Sequence, residues 1–197
     1  MTASTAVGLP LDDELARRAR GGDVDAYAKL LRTHRDAARR LAAVICGAGD
    51  ADEVAQDAFV KAWYGLHRFR DGAPFRPWLL RIVANEAHNR RRASGRRAGY
   101  ELRFSGDRSV RDDAGPSPES AVLAAATRRT LRAALAALPD RQRDVVACRY
   151  VVGLSEEETA RVLGIARGTV KSRAARGLAR LRDGIDRADS EEVESDG

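Results

Sequence analysis

The sequence holds only two cysteines, and neither Cys46 nor Cys148 stands at a metal-like spacing from the other or from His34, His67 or His88. That argues against a disulfide framework and against a zinc site, and leaves reduced core thiols as the expectation. No apolar run approaches the length of a membrane span, and no basic stretch is paired with a bulky aromatic face, so no membrane insertion is expected. The N-terminal "MTASTAVGLPLDDEL" has no basic segment followed by an apolar one, which predicts no signal peptide and a cytoplasmic location. Internal repeats and strand-like alternation of useful length are also missing.

What remains is helix. Tyr27, Leu30, Leu31, His34, Ala38, Leu41 and Ile45 recur at helical spacing and predict one long helix that begins after Asp23 and ends near Gly47, with His34 at the edge of the core. "DADEVAQDAFVKAWYGLHRF" predicts the next, capped by Asp50 or Asp52. "FRDGAPF" breaks the pattern, and "RPWLLRIVANEAHNRRR" restores it. A polar, Gly/Pro-rich stretch follows, and then an alanine-rich helix, a shorter one carrying Val145, Val146 and Tyr150, and a final helical pair. The expected fold class is all-α, with two small helical domains at residues 11–97 and 119–185, a flexible linker at 98–118 and a disordered acidic tail at 186–197.

The segment "GLSEEETARVLGIARGTVKSRAARGLARLR" carries the sharpest signal. Ser155 with Glu158 forms a capping box that starts one helix, and Gly164 supplies the sharp turn before the next. On the second helix Val170, Ala174, Leu178 and Leu181 share one side with Gly177, while Thr169, Ser172, Arg173, Arg176 and Arg180 lie opposite, flanked by Lys171 and Arg167. No acid interrupts Gly164 to Arg182. Solvated charged faces usually mix signs and gain pairs along the helix. A helix-turn-helix whose second helix offers only arginines, a lysine and hydroxyls suits a DNA major groove instead.

Charge agrees with a polyanionic partner. The formal net charge is +6, and because Asp183 to Gly197 hold seven acids against one arginine, Met1 to Arg182 carry +12. In the first domain, the helix from Trp78 to Arg92 packs Leu79, Leu80, Val83, Ala84 and Ala87 on one face, and lines the other with Trp78, Arg81, Asn85, Asn89 and Arg92. That row can stack on bases, bond their edges and neutralise phosphate, and the loop with Phe69, Arg70 and Phe75 could pocket an unpaired base. The preceding helix turns Glu53, Gln56, Asp57, Val60 and Tyr64 outward, with Glu53 and Asp57 repelling each other. Such a patch reads as a protein-docking face or as a solvated helix start.

In order and separation, "DADEVAQDAFVKAW", "FRDGAPFRPWLLRIVANEAHNRRR" and "GLSEEETARVLGIARGTVKSRAARGLARLR" resemble regions 2.2, 2.3 to 2.4 and 4.2 of bacterial RNA polymerase sigma factors, specifically the extracytoplasmic-function group. The resemblance spans about Leu11 to Ile185. It implies that Glu53, Gln56, Asp57 and Val60 dock on the β′ clamp helices of core RNA polymerase, and that a further contact is made with the β flap. It implies recognition and opening of a promoter −10 element by Phe69, Arg70, Phe75, Trp78, Arg81, Asn85, Asn89 and Arg92. It assigns reading of the −35 element to Arg167, Thr169, Lys171, Ser172, Arg173, Arg176 and Arg180. An anti-sigma factor is implied as regulator, and neither a cofactor, a metal nor catalysis is implied. Ala166 and Arg167 stand where Pro-Val is frequent in the family, and Ala174 with Ala175 replace bulkier residues, so no promoter sequence carries over. Two other readings stay open from the residues: a stand-alone dimeric helix-turn-helix regulator, and a metal-dependent nuclease built on Asp50, Asp52, Glu53 and Asp57.

Overall fold

A computed structural model describes the backbone of residues 9–70, 72–101 and 118–195, with side chains within 11–70, 72–94 and 127–187. The described residues form helices joined by short turns and contain no strand. Most of the expected linker, the first eight residues and the last two lie outside them.

The first half is a four-helix unit: α1 (Leu9–Arg20), α2 (Val24–Cys46), α3 (Ala51–Gly65) and α4 (Phe75–Glu101). Helix α2 begins where expected, because the Asp23 carboxylate accepts from the Ala26 N–H at 2.9 Å. Its stripe of Ala26, Tyr27, Leu30, His34, Ala38, Leu41 and Ile45 is buried. His34 is deeper than a core edge, and its Nε2 lies 2.9 Å from Asp12 Oδ2 of α1, so a polar pair ties these two helices inside the core. Helix α3 buries Ala51, Val54, Ala55, Ala58 and Ala62. Neither proposed cap is used at its start: Asp50 makes no capping bond, and Asp52 accepts from Arg39 Nε at 3.0 Å. Helix α4 carries Pro77 in its first turn, where a missing N–H costs nothing. It continues into the expected linker as far as Glu101, through the helix-favouring Arg90 to Ala93 and Arg96 to Ala98.

The second half comprises α5 (Pro118–Ala137), α6 (Asp140–Val146), a π-helical turn (Ala147–Val151), α7 (Glu156–Leu163) and α8 (Arg167–Ser195). The capping box is formed in both directions: the Glu158 N–H donates to Ser155 Oγ at 3.1 Å, and the Ser155 N–H donates to Glu158 Oε2 at 2.8 Å. Gly164 then turns the chain with φ +64°. The acidic tail, expected to be disordered, is helical to Ser195. Helix α8 is supported well past its basic face, since Gly184 passes close enough to α5 that a Cβ would meet Ala134 Cβ at 3.6 Å.

The two halves are not simply tethered. One continuous apolar cluster contains Leu80, Val83, Ala84 and Ala87 of α4 together with Cys148, Val152, Leu154 and Val162 from the π-turn to α7. Helix α4 packs on α7, and α2 packs on α6 and the π-turn. The polar, helix-breaking sequence between the halves is silent about this seam, because each half's packing face reads only as its own core.

Candidate nucleic-acid and protein-docking interfaces

The basic face of α8 is held by packing on its opposite side. Val170 and Ala174 are buried with Val145 of α6, and Leu178 and Leu181 are half-buried. Gly177 lets α8 approach α6 so closely that a Cβ there would stand 2.7 Å from Val146 Cγ2. Arg167, Lys171, Ser172, Arg176 and Arg180 are exposed, whereas Thr169 and Arg173 are half-buried. Arg176 Nε donates to the Ser172 carbonyl at 3.2 Å. Arg167 lies 3.6 Å from Glu156, while Lys171, Arg173, Arg176 and Arg180 form no ion pair with an acid among the described residues. That leaves four cations and a hydroxyl on one rigid face, the donor set that guanine edges and phosphates accept.

On α4, Arg81, Asn85, Asn89 and Arg92 are exposed and share one side. Arg92 Nη2 donates to Asn89 Oδ1 at 2.7 Å, so those two act as one polar group. Trp78 is half-buried at the N-terminal end of this row. Its ring lies 5.1 Å from Phe69 and 5.6 Å from Phe75, centroid to centroid, and passes over Gly65. Phe69 and Phe75 themselves are buried, and Phe75 also packs 5.6 Å from the His34 ring. The expected open aromatic pocket is therefore corrected: both phenylalanines support Trp78 from beneath, because their rings join the core of α1 to α4. Arg70 is exposed in the loop before α4.

The outward side of α3 is as expected, with Glu53, Gln56, Asp57, Val60 and Tyr64 exposed. Tyr64 is 72% exposed and Val60 51%, which is unusual for side chains of this size. Glu53 is not free, however. Arg90 of α4 donates to its carboxylate and lies 3.6 Å from Asp50. That hydrogen bond holds the Glu53 carboxyl below the ordinary carboxylate range. The Glu53–Asp57 repulsion is thus relieved from α4, while Lys61 of α3 bonds Glu86 of α4 at 2.5 Å. Between α2 and α3 runs a groove of about 730 Å³, lined by Gln56, Val60, Trp63 and Tyr64 on one wall and Arg32, Arg35 and Arg39 on the other. The arginine wall was overlooked in the sequence, although the three sit three and four residues apart, as one helix face requires.

Among the described residues no group of three or more His, Cys, Asp or Glu side chains could hold a metal ion, and no helix is long and apolar enough to cross a membrane. Three of the four acids of the nuclease reading are engaged by arginines, Asp50 and Glu53 by Arg90 and Asp52 by Arg39.

Comparison with known proteins fits this layout. The family model described as Sigma-70 region 2 matches residues 30–97, and that described as Sigma-70, region 4 matches residues 128–181. The chain is 34% identical to the RNA polymerase sigma-H factor of Pseudomonas aeruginosa over 185 residues, covering 90% of this chain and 93% of that protein. It is 31% identical to the ECF RNA polymerase sigma-E factor of Escherichia coli K12 over 182 residues, covering 89% and 92%. Among solved structures, CnrH in complex with the cytosolic domain of CnrY is similar at a TM-score of 0.69 and 29% identity, over 89% of this chain and 97% of that one. The sigma factor RpoE in complex with the anti-sigma factor NepR from Bartonella quintana is similar at a TM-score of 0.66 and 25% identity, over 81% and 96%. With both sigma regions matched, and with relatives matched along nearly their whole length, the chain belongs to the extracytoplasmic-function group of RNA polymerase sigma factors.

Proposed function

We propose that the chain works in the cytoplasm as a promoter-specificity subunit of RNA polymerase, with three surfaces in three roles and no catalytic chemistry of its own. The outer face of α3, with Gln56, Asp57 and Val60 at its centre and Glu53 at its edge, docks on the β′ clamp helices of core polymerase, and the second half of the chain contacts the β flap. Helix α8 reads the −35 element from the major groove, with Lys171, Ser172, Arg173 and Arg176 central and Arg167, Thr169 and Arg180 at the margins. On α4, Trp78, Arg81, Asn85, Asn89 and Arg92 recognise the −10 element and hold it open, with Arg70 on the phosphates and Phe69 and Phe75 fixing the indole.

One observation carries this reading: among the described residues the cationic face of α8 has no acid partner at Lys171, Arg173, Arg176 or Arg180, whereas other arginines repeatedly find carboxylates. Charge left unpaired in this way is available to a polyanion. Two solved relatives are complexes, CnrH with CnrY and RpoE with the anti-sigma factor NepR, which supports regulation of this chain by an anti-sigma partner. Run-off transcription on genomic promoter fragments tests the proposal. Core polymerase should yield discrete transcripts only when this protein is added, and an unchanged transcript pattern would refute it.

A further inference from the structure

Tyr64, at the C-terminal end of α3, is 72% exposed, more than any other large hydrophobic side chain among the described residues, and it belongs to neither the docking set nor the −10 set. Its neighbour Trp63 is held 4.9 Å from the Tyr27 ring, whereas the Tyr64 ring has no aromatic partner among the described residues. A ring this large usually finds something flat or apolar to cover it.

The surroundings of Tyr64 define the kind of partner. Gly65, the next residue, lies beneath the Trp78 indole, where a Cβ would meet Cζ2 at 3.5 Å, so Tyr64 stands at the Trp78 end of the α4 row. Beyond it Leu66–Arg68 form a tight 3-10 turn. There the His67 Nδ1–H donates to the Tyr64 carbonyl at 2.7 Å, and His67 Nε2 accepts from Arg68 Nε at 3.1 Å, an arrangement that belongs to the neutral imidazole. The Leu66 N–H donates to the Trp63 carbonyl. The negative end of α3 is thereby covered, and repels an approaching anion less. Arg20 Nη1 of α1 donates to the Phe69 carbonyl at 3.3 Å and fixes the chain between Arg68 and Arg70. Both of those arginines are exposed, and neither forms an ion pair with an acid among the described residues. No acid stands between Lys61 and Arg70. Asp57, the nearest acid of the docking face, lies about 10 Å back along α3 at 1.5 Å per residue.

We propose that Tyr64 and Arg68, with Arg70, form a second single-strand platform, on which an unpaired promoter base stacks on the Tyr64 ring while the arginines take the flanking phosphates. The strand held at Trp78 continues onto it. The inference rests on the sigma-factor reading of α4. An exposed ring with cations beside it and no acid nearby suits single-stranded nucleic acid of any sequence, because every base has a π face and every link carries a phosphate. A closed duplex does not fit, since its bases are already stacked on one another. The platform therefore binds the open state better than the closed one and shifts the population toward melted DNA without selecting a base. His67 is a positioning residue, which holds Arg68 by its Nε and leaves the terminal nitrogens for phosphate.

The test uses holoenzyme on a promoter found by run-off transcription and melted in advance, with iodouracil placed at successive positions of the non-template strand. Light should crosslink one position to Trp78 and a neighbouring position to Tyr64, each identified by mass spectrometry of the digested protein. On the duplex promoter, Tyr64→Ala should shorten the lifetime of the open complex about tenfold, and Tyr64→Phe should leave it nearly unchanged. Both variants should bind core polymerase as the wild type does. Arg68→Ala should reduce the salt dependence of open-complex stability by about one phosphate contact. Absence of a Tyr64 crosslink at every position overturns the platform, and so do Tyr64→Ala open complexes that last as long as those of the wild type. Loss of polymerase association in Tyr64→Ala overturns it as well, because the ring then belongs to docking. Failure of the wild type to support run-off transcription removes the sigma-factor reading and the platform with it, whereas transcription without the crosslink removes the platform alone.

Discussion

Gly177 of α8 faces Val146 of α6 at a distance that admits no side chain, since a Cβ would come within 2.7 Å of Val146 Cγ2. Val146 is buried and β-branched in a helix, so it has little freedom to yield. An alanine in mid-helix normally gains about 1 kcal/mol over glycine, but overpacking of this kind costs about 1–3 kcal/mol. Gly177→Ala is therefore expected to lower stability by up to about 2 kcal/mol and to tilt the basic face, weakening −35 binding. Thermal unfolding and duplex binding measured on the same protein would check this, and a raised melting temperature would show that the α6–α8 contact is slack.

The docking role proposed for α3 calls for a substitution that leaves α4 alone. Reversing Glu53 would set two cations together at Arg90 and disturb the α3–α4 pairing, so it cannot isolate docking. Asp57→Lys with Val60→Ala changes only exposed positions on α3. Association with core polymerase should fall at least about tenfold in a pull-down, the scale expected when central interface contacts are lost, while helicity is unchanged. Normal holoenzyme formation by this variant would remove the docking proposal. The Glu53 carboxyl is held low by Arg90. Its bridge is therefore complete above the unfolded carboxylate value and is lost only as pH falls through the lowered one.

How far the sequence could be read depended on whether a feature was local. The capping box at Ser155, the turn at Gly164 and the start of α2 at Asp23 are set by residues a few positions apart, and each was legible. The outward faces of α3 and α8 follow from helical periodicity, and the structure agrees except that Thr169 and Arg173 are half-buried. Partners distant in sequence were not legible: Arg90 on Glu53, Asp12 on His34 and Asp144 on His88 join residues from 22 to 56 positions apart. Phe69 and Phe75 were misjudged for a related reason, since a loop aromatic is read as exposed until the helices beneath it are known. The helical tail shows the limit of composition, because alanine, glutamate and arginine favour helix even where net charge suggests disorder.

Substitutions on α8 separate base contact from phosphate contact in the proposed reading of DNA. Arg173→Ala or Arg176→Ala should cost about 1–3 kcal/mol of binding at the preferred −35 element if the guanidinium reads a base, and the loss should shrink on DNA altered at that base. Equal losses on every duplex, with a reduced salt slope, would assign both residues to the phosphate backbone.

The two thiols give a pH-dependent readout. Burial pushes Cys148 up to about 12 and, helped by the neighbouring Asp50 charge, pushes Cys46 up to about 11. Both folded values lie above the ordinary thiol range, so the stability they confer is complete at neutral pH and is lost as pH rises toward those values. Unfolding by urea should need progressively less denaturant above about pH 9, and a Cys46→Ser, Cys148→Ala chain should show a weaker decline. At pH 8 the native thiols should react with a disulfide reagent far more slowly than the unfolded ones. Equal rates would contradict the burial.

Separable work by α4 and α8 is tested most directly by permanganate footprinting of holoenzyme on promoter DNA, with Asn85→Ala, Trp78→Ala and Arg173→Ala beside the wild type. Asn85 is exposed, whereas Trp78 packs on Phe69 and Phe75, so circular dichroism must accompany that variant. Base stacking on an aromatic is worth about 1–3 kcal/mol, which corresponds to roughly tenfold to a hundredfold in opening. Asn85→Ala and Trp78→Ala should bind duplex upstream DNA normally yet leave the −10 thymines unreactive. A template melted in advance should restore the part of the defect that comes from unpairing. Arg173→Ala should show the reverse, with weak upstream binding and normal reactivity once saturated. Wild-type reactivity in folded Asn85→Ala and Trp78→Ala proteins would show that the α4 row is a core edge and that promoter opening is done elsewhere.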